Sequence, residues 1–128
     1  MTRRGIVLFG HGSRDPLWRK PIEAVAARVC ALKPGVAVRC AYLELTEPDL
    51  ATTVDALMAE GIASITVVPM FLGVGKHARE DLPLLMDALR LKHPGAIFSL
   101  QRPMGEQQAL IELMANISLG GFECEERS

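Results

Sequence analysis

Two histidines, His11 in GIVLFGHGSRDP and His77 in SITVVPMFLGVGKHAREDLP, stand just past short apolar runs that end in glycine-bearing loops. Neutral imidazoles bind divalent metals and exchange protons near neutral pH. Both runs are rich in β-branched residues and bounded by Gly or Pro, the pattern of a buried parallel strand. Loops that follow the strands of one parallel sheet emerge at its carboxyl edge, where open α/β folds hold their ligands. Glu44, in YLELTEP, follows another such run and reaches the same edge. It can serve there as an oxygen ligand or a proton acceptor, or it can be a plain surface carboxylate.

The neighbours of the two histidines sharpen this. Gly10 and Gly12 flank His11, permit a tight turn and let a ligand approach the backbone closely. Ser13 and Arg14 lead on toward a helix start, a setting that favours an anionic group. The plainer alternative is a capping loop whose histidine bonds a backbone carbonyl. Before His77, the residues Met70, Phe71, Leu72, Gly73 and Val74 are apolar or unhindered and lie in what reads as a loop over 70–76. Such a loop is either a buried connector or an apolar wall for a flat, greasy ligand, with Lys76, His77 and Arg79 at its mouth. Long loops in small domains serve binding more often than packing, which favours the wall. Glu47 is best explained as a carboxylate favouring a helix N-terminus. His93, before Pro94, reads as solvent-exposed. Trp18 is expected to open the first helix, in the core or in an oligomer contact.

Strand and helix alternate regularly around these loops. Strands are expected at 6–9, 37–43, 64–69 and 97–100. Asp15 and Pro16 look like the N-cap and first residue of one helix, which carries Ile22, Val25, Ala26, Val29 and Leu32 on one stripe. Thr46, Pro48 and Asp49 look like the cap of the next, with Leu50, Val54, Leu57 and Met58 facing inward. A third helix bears Leu82, Leu85, Met86 and Leu89 and has Pro83 near its start, where a missing amide costs least. A fourth, after RPMGEQQAL, bears Leu110, Leu113, Met114 and Ile117. The expected architecture is α/β: a four-stranded parallel sheet with helices on both faces, forming one domain over 1–120 and a frayed tail over 121–128.

Composition removes several classes of function. At 128 residues the chain makes one domain, and 49% apolar residues suffice for its core. Aromatic residues are only 5% and the formal net charge is −1, so neither a stacking platform for single strands nor a basic field for nucleic acid or anionic membrane is present. No apolar run has the length of a membrane span, and the first residues run straight into a strand. Cys30, Cys40 and Cys124 share no paired spacing; Cys30 and Cys40 are expected to be buried reduced thiols, as in a cytoplasmic protein.

With these residues set out, the chain resembles the short CbiX-type sirohydrochlorin chelatases, a class II tetrapyrrole chelatase family. The likeness runs from GIVLFGHGSRDP through YLELTEP and VVPMFLGVGKHAREDLP to RPMGEQQAL. It implies that His11 and His77 handle the metal, that Glu44 assists, and that Co2+, Fe2+ or Ni2+ enters sirohydrochlorin as substrate with no organic cofactor. It also implies a homodimer, because larger relatives close two lobes over one cleft. The residue chemistry agrees with such a reaction, which needs borderline ligands and a base together as two pyrrole protons leave. Arg14, Lys76 and Arg79 are suited to the carboxylate arms of the substrate, and residues 70–74 to its face. Two other readings compete. A metal or tetrapyrrole carrier would use the same histidines without turnover. A histidine-nucleophile phosphatase would need an arginine before the histidine, where this chain has Gly10.

Overall fold

Four parallel strands, β1 (Arg4–Gly10), β2 (Ala37–Tyr42), β3 (Ser64–Pro69) and β4 (Ile97–Leu100), form one sheet in the order β2-β1-β3-β4. The computed structural model describes residues 3–127, with side-chain surroundings through residue 120. Helices α1 (Lys20–Leu32), α2 (Leu50–Ala59), α3 (Lys76–Lys92) and α4 (Gln108–Arg127) follow the strands in turn, and a 3-10 turn at Met104–Glu106 precedes α4.

The strand order follows from right-handed crossovers. From β1 the chain passes through α1 to β2 on one side. It then crosses back over β1 through α2 to β3 and continues outward through α3 to β4. Reversing direction puts α1 on one face and α2 with α3 on the other. Alternate side chains divide accordingly. Val7, Phe9, Ala37, Ala41, Ile65, Val67 and Phe98 pack under α2 and α3, whereas Leu8, Val38, Tyr42 and Val68 gather with Ile22 of α1. The topological switch lies between β1 and β3, the strands from which His11 and the 70–74 loop emerge.

Several helix boundaries differ from the sequence expectation, each for a local reason. Asp15 does not cap α1: its Oδ1 accepts the Leu17 amide at 2.9 Å, making a turn over 15–18, and α1 begins at Lys20 with Pro21 in its first turn. Trp18 therefore precedes the helix, edge-on to Tyr42 at 6.0 Å. Asp49 rather than Thr46 caps α2, accepting the Thr52 amide at 2.8 Å, because Thr46 is committed elsewhere. Helix α3 starts at Lys76, so His77 sits in its first turn and Pro83 lies inside it. A proline there removes the amide that would meet the Arg79 carbonyl, at a cost of about 3 kcal/mol. Burial of Leu82, Met86 and Leu89, about 1.5–3 kcal/mol each, outweighs it.

Only Ile22 of the α1 stripe is buried; Leu32 is 61% exposed, and Cys30 is exposed rather than buried. Cys40 is half-buried, and Cys124 lies outside the described side chains. His93 is not surface decoration: its side chain is 16% exposed, its Nε2 lies 3.0 Å from Asp55 Oδ1, and its ring tilts against Phe98. The backbone of α4 runs to Arg127. Among the described residues, no helix is long and apolar enough to cross a membrane.

Candidate active site

His11 leaves β1 beside two neighbours. Its Nε2 lies 3.1 Å from Glu44 Oε1, and its ring meets Phe71 edge-on at 6.2 Å. An ionised carboxylate only accepts hydrogen bonds, so the shared proton resides on Nε2 and Nδ1 keeps a free lone pair. That is the arrangement in which a carboxylate orients a metal-binding imidazole and fixes its tautomer. Both side chains are more than half exposed, at 54% and 56%, so the pair is open to an incoming ligand.

The backbone brings this pair together. The Leu43 amide donates to the Gly10 carbonyl at 2.9 Å and the Glu44 amide to the His11 carbonyl at 3.1 Å, extending the β1–β2 pairing into the loops. Gly12 adopts φ +105°, and a β-carbon there would collide with the Glu44 carbonyl. The glycine after His11 is thus required by close approach of the second loop as well as by its own dihedral. Gly10 is packed under Ile22 and Trp18.

On the other side of His11 the loop over 70–74 is tied down more firmly than its composition suggests. Phe71 is 6% exposed, belongs to the main core and meets Phe9 edge-on at 6.1 Å. Met70 and Val74 are half-buried, and only Leu72, 67% exposed, fits the expectation of an open apolar wall. The Met70 amide donates to Phe9 O at 2.8 Å, and the Gly105 amide reaches Phe71 O at 2.9 Å. Gly105 lies so close to the Leu72 carbonyl that no β-carbon fits between them.

The two neighbours of His11, Glu44 and Phe71, each line a separate hollow. One, of about 590 Å³, is lined by Glu44, Thr46, Glu47, Asp49 and their neighbours. The other, of about 390 Å³, is lined by Val25, Met70, Phe71, Leu72, Met104 and Leu110. Met104 and Leu110 were not among the sequence candidates. Their signal in the sequence is the RPMG turn, whose glycine marks a contact with a loop distant in sequence. Tyr42, buried at the foot of the acidic hollow, is excluded as a base. Burial, with the Cys40 thiol and Glu23 adding to it, pushes its phenol up to about 12. The Cys40 thiol is pushed up as well, first by burial and then by Glu23.

Lys76, His77 and Arg79 are all exposed in the first turn of α3, and Gly73 and Arg14 are exposed in the neighbouring loops. The structure brings His11, Glu44 and Phe71 into contact. It does not bring His77 into a three-ligand cluster with His11 and Glu44, and no group of three His, Cys, Asp or Glu suited to a metal occurs among the described residues. Ser13 is half-buried and engaged with Thr46 through its backbone.

A parallel α/β lobe with an imidazole–carboxylate pair at its switch point defines a class of small domain in which a ligand is met by loops at the carboxyl edge. The chain belongs to the CbiX family, whose model matches residues 5–118. Two relatives are sirohydrochlorin cobaltochelatases. That of Methanosarcina barkeri is 31% identical over 67% of this chain and 67% of its own length. That of Methanopyrus kandleri is 36% identical over 63% of this chain, and the match spans only 57% of that relative. Among solved structures, a CbiX protein of cobalamin (vitamin B12) biosynthesis from Marinobacter aquaeolei VT8 is similar at a TM-score of 0.79 and 33% identity, covering 98% of this chain and 99% of that one. The sirohydrochlorin chelatase SirB from Bacillus subtilis subspecies spizizenii, in complex with cobalt, is similar at 0.67 and 28%, covering 84% of this chain and 46% of its own.

Proposed function

We propose that this chain inserts a divalent metal, cobalt foremost, into sirohydrochlorin. The observation that carries the reading is the position of His11, bonded to Glu44 on one side and edge-on to Phe71 on the other. Its Nδ1 is the ligand for the incoming metal, with Glu44 holding the ring and its tautomer. The apolar hollow bounded by Leu72, Met104 and Leu110 receives the macrocycle face. Arg14, Lys76 and Arg79 pair with the carboxylate arms, arginine in bidentate fashion. His77, in the first turn of α3 at the same sheet edge, meets the metal or takes a pyrrole proton. Fe2+ and Ni2+ suit the same imidazoles, and metal supply in the cell selects among them. The support for cobalt is the activity named for the relatives in Methanosarcina and Methanopyrus and the cobalt complex of SirB.

The working unit in this reading is a homodimer acting in the cytoplasm. One lobe gives an open edge, and small-molecule sites bury most of their ligand. SirB, of which this chain covers 46%, has length for a second such unit; a second copy supplies it here.

The test is to mix the protein with sirohydrochlorin and Co2+ and follow the absorption spectrum through many equivalents. A chelatase converts many macrocycles per protomer. A carrier stops at one, and that result would reject the enzymatic reading.

A further inference from the structure

We propose that Thr46 is a positioning residue, which through Ser13 clasps the two loops carrying His11 and Glu44 and so sets the geometry of that pair. The inference rests on the reading of His11 and Glu44 as the working pair. Thr46 and Ser13 exchange two hydrogen bonds across 33 positions of sequence: the Ser13 amide donates to Thr46 Oγ1 at 2.9 Å, and the Thr46 hydroxyl donates to the Ser13 carbonyl at 2.6 Å. The pattern is that of a strand pair, with a side-chain hydroxyl in place of a second backbone.

The clasp closes a short circuit. Thr46 N–H donates to the Glu44 carbonyl at 2.7 Å, and Glu44 N–H donates to the His11 carbonyl at 3.1 Å. Between Glu44 and Thr46 the chain turns through Leu45 at φ +63°, a left-handed conformation that a leucine rarely adopts without constraint. Ser13 is fixed in turn, its Oγ accepting the Asp15 amide at 3.1 Å. Both clasp residues are half-buried, whereas His11 and Glu44 are exposed. An exposed imidazole–carboxylate contact does not hold its own geometry against solvent and side-chain freedom. The bonds that fix where Glu44 points are therefore those beneath it. Thr46 meets neither the imidazole nor the carboxylate directly, so its influence passes through Glu44.

The test uses T46V, which keeps the shape of the side chain and removes the hydroxyl, with T46S, E44Q, H11A and the double variant T46V/E44Q. Co2+ affinity is measured by calorimetric titration with the metal alone, and kcat and KM for sirohydrochlorin by absorption. T46V is expected to weaken Co2+ binding and to lower kcat, each about 10-fold, as loss of an orienting partner does. KM for sirohydrochlorin stays within about twofold of wild type, and T46S recovers the lost affinity. In the E44Q background T46V adds little, because the two act in series. Equal effects of T46V with and without Glu44, or no recovery in T46S, overturn the proposal. Should T46V fail to fold, hydrogen exchange in the unaltered chain decides: a Ser13 amide exchanging as fast as an exposed loop amide means that no clasp persists. H11A separates the two levels. An active H11A rejects the site itself, whereas an inactive H11A beside an unimpaired T46V rejects only the clasp.

Discussion

His11 and His77 share a residue type and a sheet edge but differ in what holds them. His11 is bonded to Glu44 and packed on Phe71, whereas His77 projects from the first turn of a helix. Neither contributes to the core, so alanine at either position should leave stability within about 0.5 kcal/mol of wild type. Metal insertion should nevertheless fall about 100-fold or more in each, the scale of losing a proton-transfer group or ligand at the reacting centre. Turnover assays paired with thermal melts check this; near-normal turnover in either variant removes that histidine from the reaction. E44Q should cost less than H11A, since a glutamine still accepts the His11 proton but carries no charge. The sequence exposed His11 because a polar residue flanked by glycines after an apolar strand is conspicuous, and His77 and Glu44 because each follows another such strand. It gave no comparable sign of His93, whose half-buried bond to Asp55 depends on the distance between the end of α3 and the middle of α2. Nor did it distinguish Phe71, a core residue, from Leu72, the exposed one beside it.

At the scale of elements, loops are shaped by one another, and this was the part least legible in sequence. Thr46 has the residue type and spacing of a helix cap, yet its hydroxyl is spent on Ser13, and Asp49 caps α2 instead. Gly105 lies in the 3-10 turn after β4, where the Leu72 carbonyl occupies the space a β-carbon would need. G105A should displace the 3-10 turn from the 70–74 loop and lower stability by about 1–3 kcal/mol, the usual range for overpacking. Denaturant melts measure that loss; a neutral G105A would show that the two loops part at little cost. The α2–α3 junction carries a pH dependence of definite sign. Lys92 and His93 hydrogen-bond to Asp55 and hold its carboxyl below the ordinary carboxylate range, and the Thr52 amide does the same for Asp49. A group whose pKa is lower when folded binds fewer protons in the native state, so its stabilising effect is full above the unfolded pKa of about 3.9 and fades as pH falls below it. Melting temperatures followed from pH 6 to 3, on the scale set by that reference value, should therefore fall less steeply in D55N than in the unaltered chain.

At the scale of the whole molecule, α/β alternation was legible because period and punctuation are local, whereas the strand order and the covering of each face are not. Helices occupy both faces, but α1 packs chiefly on β1 and β2, with Val68 the one buried β3 residue in its cluster. At the β4 end, Ser99 is exposed although it bonds to the buried Thr66, and Ile97 is 69% exposed. Helix α4 packs chiefly on the 3-10 turn and leaves Leu113 at 53% and Ile117 at 68% exposure. An amphipathic helix and an open sheet margin on one small lobe are the surfaces a second copy would cover, and a twofold dimer is the commonest way to do so. Light scattering across a dilution series should give twice the mass of the chain, and specific activity should fall where the dimer dissociates. I117E, on the exposed side of α4, should shift that dissociation to higher protein concentration without unfolding the lobe. A chain that stays monomeric while turning over sirohydrochlorin would reject the shared cleft and require a single lobe to hold its substrate unaided.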